Sequence, residues 1–112
     1  MPFENPIPVR LKEARRKSKL SQKALGVRIG MDESSASPRM NQYEKGKHTP
    51  DVQTLKLLAC ELGVPLSYFF CEDELSVELA VNLNKLSKTD KQKVLDITTQ
   101  LIAKAHEDDA AT

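Results

Sequence analysis

The stretch Leu20-Ser21-Gln22 … Gly30 … Ser37-Pro38-Arg39-Met40-Asn41-Gln42-Tyr43-Glu44-Lys45-Gly46-Lys47 … Pro50 decides how this chain folds. Ser21 is a hydroxyl residue placed to cap a short helix, because its oxygen can accept from one of the free N–H groups at a helix start. Leu25 and Ile29, four apart, give that helix its buried stripe, and Gly30 ends it. Ser37-Pro38 opens a second short helix, proline being tolerated in a first turn, and Gly46 stops it. This second helix is expected over about Pro38 to Lys45. Met40 and Tyr43, three apart, point into the core. Arg39 and Gln42, also three apart, then share the outer face with Ser37 at the helix start.

Working outward, a first helix is expected from about Pro8 to Ser18, with Leu11 and Ala14 on one face. Lys19 takes its exit position, where a left-handed lysine costs on the order of 1 kcal/mol. A fourth helix spans Val52 to Leu62 from the cap Asp51, and Gly63 ends it. Leu55, Leu58, Ala59 and Leu62 recur at helical spacing as its core face, and Cys60 in the same run reads as a small core residue. A short fifth helix, Pro65 to Phe70, closes the bundle with Val64, Leu66 and Phe69, and Tyr68-Phe69-Phe70 reads as core closure. Gly26 fits a place where two helices cross closely. The fold class is therefore all-α, a five-helix core followed by a helical appendage.

These marks resemble the repressor/Cro type, or XRE family, of helix-turn-helix proteins: the Leu-Ser-Gln opening, the Tyr-Glu-Lys-Gly-Lys close, Pro50, and then Thr54-Leu55 … Leu58-Ala59 … Leu62-Gly63-Val64. The resemblance covers roughly Ile7 to Phe70. It implies a sequence-specific regulator that binds double-stranded DNA, with the helix over Pro38–Lys45 set into the major groove. Base readout then falls to Ser37, Arg39 and Gln42, since arginine can fork onto guanine and glutamine onto adenine. Phosphate contacts fall to Ser21 and Gln22 at the start of the second helix and to Lys45 and Lys47 beyond the third. Arg15 and Glu44 match positions that pair in relatives, which implies an ion pair between the first and third helices. The chain departs from the pattern between Gly30 and Ala36, about four residues longer than the usual turn. The extra residues, among them Asp32 and Glu33, are expected to bulge away from DNA.

Charge distribution agrees with this. The net charge is only +1, but residues 1–50 hold 11 Lys or Arg against 5 Asp or Glu, and residues 51–112 hold 6 against 11. One half is suited to phosphate and the other to solvent or protein. Beyond Glu72, Leu75, Leu79, Leu83 and Leu86 recur at helical spacing, with Val77 and Val81 widening the stripe. Ser87-Lys88-Thr89-Asp90 resembles a capping box. A last helix carries Val94, Leu95, Ile97, Thr98, Leu101, Ile102 and Ala105 on a broad apolar face. The chain divides, on this reading, into a DNA-binding domain over residues 1–72, with its helix-turn-helix at about 21–46, and a dimerisation segment over 73–112. Val94, Leu95, Leu101 and Ile102 form the expected homodimer contact. The proline-rich Met1–Pro8 reads as an extended arm and Glu107–Thr112 as a frayed tail.

Other chemistry finds little support. His48, Cys60, Cys71 and His106 are too scattered for a metal site, no cofactor pattern is present, and an enzyme would need clustered nucleophiles or bases. No run is apolar enough to span a bilayer, so no membrane is involved and the expected location is cytoplasmic, with reduced thiols. Two functions remain open. One is a repressor binding a two-fold operator as a dimer; the other is an antitoxin, which binds DNA with this fold and neutralises a partner toxin with another surface.

Overall fold

The computed structural model describes residues 4–111, the side chain of Ala111 excepted, and these residues form helices and connections only. Their order is α1 (Ile7–Lys17), α2 (Gln22–Arg28), α3 (Glu33–Glu44), α4 (Val52–Leu62), a 3₁₀ helix over Leu66–Phe70, α5 (Glu74–Lys85) and α6 (Lys88–Ala111). The chain divides into two compact units, one ending at Val81 and one beginning at Asn82. Of the expected N-terminal arm, Met1–Phe3 lie outside the described residues; Glu4–Pro6 are not helical, and the Asn5 side chain accepts from the Ile7 N–H at 3.1 Å.

The core of the first unit is built from one stripe of each helix. Leu11 and Ala14 of α1, Leu25 of α2, Ala36 and Met40 of α3, and Leu55, Leu58, Ala59 and Leu62 of α4 are buried together. Tyr68 and Phe69 close it, their rings edge to face at 5.8 Å. Phe70 lies outside the core and half exposed. Cys60 is exposed too, contrary to its expected core place, because Leu58, Ala59 and Leu62 already fill the inner face of α4.

Helix ends follow local chemistry. The Ser21 hydroxyl accepts from the Ala24 N–H at 3.0 Å and the Asp51 carboxylate from the Thr54 N–H at 2.8 Å, each satisfying a free donor of a first turn. That bond holds the Asp51 carboxyl below its ordinary pKa. At the exit of α1, Lys19 stands at φ +58°, a left-handed conformation that its Cβ disfavours. Between α2 and α3, Gly30 at φ +101° turns the chain in a region closed to other residues.

The main departure from the sequence reading is α3. It starts at Glu33 rather than Pro38, so the four extra residues form about one added helical turn, roughly 6 Å long, instead of a bulge. A four-residue insertion nearly preserves the face of a helix. Ala36, Met40 and Glu44, spaced by four, are accordingly all buried. Asp32 now stands at the N-cap with extended dihedrals, and Glu33 in the first turn suits the helix dipole. Pro38 is thereby inside a helix. It has no N–H for the Ser34 carbonyl, a defect worth about 3 kcal/mol in a helix interior.

Two further corrections concern the C-terminal half. Val77 is buried in the core of the first unit, whereas Leu75 and Leu79 are exposed. Val77 therefore lies on the opposite side of α5 from the leucine stripe and does not widen it. Nor is the acidic tail frayed: α6 continues through Glu107, Asp108 and Asp109 to Ala111, with Thr112 outside the described residues. The Ser87 hydroxyl accepts from the Asp90 N–H at 3.1 Å at the start of this helix.

The closest packing in the fold is between α2 and α3. A Cβ placed on Gly26 would sit 2.8 Å from the Ala36 Cβ and 3.1 Å from the Ala36 Cα. Gly26→Ala should lower stability by about 1–3 kcal/mol in thermal or urea melts, even though alanine favours a helix, because a backbone must move to admit it. Lys19→Gly should do the opposite, raising stability by about 1 kcal/mol through relief of the left-handed strain.

Candidate nucleic-acid interface

Arg15 organises the inner side of this interface. Its Nε donates to Glu44 Oε2 at 2.6 Å and its Nη2 to Oε1 at 3.0 Å, a two-point contact between α1 and the end of α3. Nη1 donates to the Leu20 carbonyl at 2.9 Å, pinning the turn that contains the strained Lys19. The Glu44 side chain is only 2% exposed and that of Arg15 12%. Hydrogen bonding to Glu44 raises the Arg15 pKa, outweighing the cost of burial. Gln22, third residue of the Leu-Ser-Gln opening, donates from Nε2 to Glu44 Oε1 and to Asn41 Oδ1, both at 3.2 Å. The opening of α2 is thus tied to the last turn of α3.

These contacts leave a defined outer face on α3. At about 100° per residue, the side opposite Met40 is a line through Ser35, Pro38, Gln42 and Lys45. Pro38 and Lys45 on this line are exposed; Ser35 and Gln42 are half-buried. Arg39 is exposed on one flank. Ser37 is half-buried and falls within about 60° of Met40 on the helix circle, so it sits on the inward side rather than on the line with Gln42. Lys45 and Lys47 are exposed around Gly46, where a Cβ would lie 3.5 Å from Pro8 of α1. Ser21 is exposed with its hydroxyl engaged in the cap, and Gln22 is half-buried with its amide nitrogen engaged by Asn41 and Glu44.

The acidic residues of the added turn are accommodated at the end of α3 that faces α2. Glu33 lies 3.9 Å from the Lys23 ammonium, an exposed pair that contributes little stability but sets a positive charge beside it. Sequence reading missed Ser35 because it began the helix too late, and it named Pro38 and Asn41 without giving either a place on the outer face or in a contact. The four-residue spacing of Ala36, Met40 and Glu44 was the signal that could have placed them.

A second polar network lies on the far side of α1. Arg10 is buried; its Nε donates to the Cys71 carbonyl at 2.8 Å and its Nη1 to Glu74 at 3.0 Å and Glu13 at 3.2 Å. The Tyr68 hydroxyl donates to the same Glu13 carboxylate at 2.5 Å. Burial opposes the Arg10 charge, but the bonds to Glu74 and Glu13 outweigh it and hold the pKa above its ordinary value. Burial likewise works against ionised Glu13, and the bonds from Tyr68 and Arg10 override it, leaving its pKa lowered. Desolvation together with the bond to Glu13 pushes the Tyr68 phenol well up.

Among the described residues no group of three or more His, Cys, Asp or Glu could hold a metal ion, and no helix is long and apolar enough to cross a membrane. In α6, Val94 is half-buried, while Leu95, Leu101 and Ile102 are each more than half exposed.

The helix-turn-helix family matches residues 11–69 of this chain. Three solved chains match it, among them the crystal structure of the transcriptional regulator BswR. That protein is 41% identical, with a TM-score of 0.78, over 87% of this chain and 96% of its own. No curated protein matches.

Two outcomes test the networks. Glu44→Ala strands a buried guanidinium and should cost about 3–5 kcal/mol in denaturant unfolding. Glu13 ionises more readily in the folded chain than at its ordinary value of 4.5, so the stability it supplies is full above that pH and is lost as pH falls through the lower folded value. Glu13→Gln should therefore be less stable at pH 7 and lose less stability between pH 5 and pH 2, as read by thermal melts. Asp51 and Asp73, held low by bonds from Thr54 and Ser76, would supply the remaining slope.

Proposed function

Because this chain belongs to the XRE-type helix-turn-helix family of DNA-binding transcriptional regulators, we infer that it is a cytoplasmic repressor that binds a two-fold operator as a homodimer. The observation that carries the reading is the polar outer face of α3, backed by a buried ion pair that holds the helix against α1. Arg39 and Gln42 read bases, without Ser37, which lies on the inward side of the helix; the arginine fork suits guanine O6 and N7, and the glutamine amide suits adenine N6 and N7. Lys45 and Lys47, with the backbone N–H groups of Ser21 and Gln22 at the start of α2, hold the phosphates on either side. Occupying an operator in this way excludes polymerase.

A single helix-turn-helix reaches too few base pairs for tight specific binding, and a two-fold dimer doubles the contact. The apolar residues Val94, Leu95, Leu101 and Ile102 supply a face for it: they recur on one side of α6, and the last three stay largely exposed in the single chain. Packing α6 against its copy buries that face isologously, and a two-fold operator offers its half-sites on successive turns of DNA, about 34 Å apart. The acidic balance of residues 51–112 suits a surface held away from phosphate.

Three measurements test this. In binding to an operator recovered by selection from random duplexes, Arg39→Ala and Gln42→Ala should each relax preference at one base pair per half-site, by about 1–3 kcal/mol. Unchanged preference in both would remove α3 as the reader. Lys47→Ala should weaken all duplexes alike and make the dependence on salt shallower. Leu101→Asp combined with Ile102→Asp should turn a sedimenting dimer into a monomer with much weaker operator binding. A wild-type chain that is monomeric at micromolar concentration would overturn the dimer.

A further inference from the structure

Pro38 is the one residue of the outer face of α3 that harms its own helix. It breaks the hydrogen-bond ladder at Ser34, and it is exposed, so no core contact offsets the defect. Features that break a local rule without a packing reason concentrate where the surface meets a ligand. The position is specific. Pro38 lies four residues before Gln42 and three after Ser35 on the line opposite Met40, about 6 Å and 4.5 Å away along the axis. On that line it is the only apolar group, a rigid ring between polar side chains. The major groove offers one apolar feature among its donors and acceptors, the 5-methyl group of thymine.

We propose that Pro38 is a specificity residue, its ring packing on the 5-methyl group of a thymine in each half-site, within two base-pair steps of the base taken by Gln42. This rests on the reading of α3 as the base-reading helix. The ring excludes water from the methyl group and has no donor or acceptor that a cytosine amino group could satisfy. Its contribution is therefore discrimination for thymine, in contrast to the hydrogen-bonding choice made by Gln42.

The test uses the full chain and the duplex selected by it. Each thymine is replaced in turn by deoxyuridine, which removes the methyl group and leaves every hydrogen-bonding atom, and affinity is read by fluorescence anisotropy at fixed salt. One thymine per half-site should lose about three- to fivefold on replacement, the factor for burying a single methyl group. Pro38→Ala, which improves the helix and should fold, should abolish that difference between thymine and deoxyuridine. Uniform indifference to deoxyuridine, or an equal loss in Pro38→Ala, overturns the proposal. Gln42→Ala run on the same duplex separates the two levels: relaxed preference there with deoxyuridine silent removes only the role of Pro38, whereas unchanged preference removes the reading of α3 and this proposal with it.

Discussion

The close approach of α2 and α3 at Gly26 and Ala36 is the constraint on which the exposed face of α3 depends. With less than 3 Å between an added Cβ and Ala36, neither helix can rotate or slide without collision. Once Ala36 is pinned, the 3.6-residue period places Met40 in the core and Glu44 beside Arg15, and it leaves Gln42 and Lys45 turned outward. The outer face is thus a consequence of what two small residues permit on the inner one. A longer helix would normally threaten such a register, but an addition of four residues is close to a whole turn, so the face survives it.

Buried charge completes the arrangement. Arg15 and Arg10 stand on α1 as two guanidinium groups largely removed from water, and each is answered by carboxylates and by a backbone carbonyl. Such groups contribute modest net stability, since desolvation opposes their attraction, but they penalise every alternative packing that would strand a charge. Their geometry divides the labour: Arg15 ties α1 to the helix-turn-helix, and Arg10 ties it to the 3₁₀ helix and the first turn of α5.

How far the chain could be read without coordinates depended on whether punctuation and periodicity agreed. At α4 they did: Asp51, the leucine spacing and Gly63 marked its two ends and its face. Lys19 was legible only as the exit of α1: its cost argued for an altered turn, and the structure keeps the left-handed conformation all the same. In the added turn they conflicted. Ser37-Pro38 has the form of a helix start, and a serine-rich segment before it resembles a loop, while the burial of Ala36 against Gly26 is a tertiary fact that overrides both. Val77 was misplaced for a different reason: two positions from Leu75 and from Leu79 it stands about 200° away on the helix circle, so the period itself set it on the other side. The Arg10 network was invisible because its partners, Glu13, Tyr68 and Glu74, are up to 64 positions away.

The bond between Tyr68 and Glu13 gives this protein a built-in optical reporter. The chain has no tryptophan and two tyrosines, so its near-ultraviolet absorption and emission come mainly from those two rings. One is sunk in the core with its hydroxyl held by a carboxylate, a partner that quenches phenol emission; the other, Tyr43, sits half-buried on α3 beside Gln42. Loss of the fold releases both rings to water and brightens the first, which parts from its carboxylate. A single unlabelled sample therefore carries its own optical signal for unfolding, with no added chromophore.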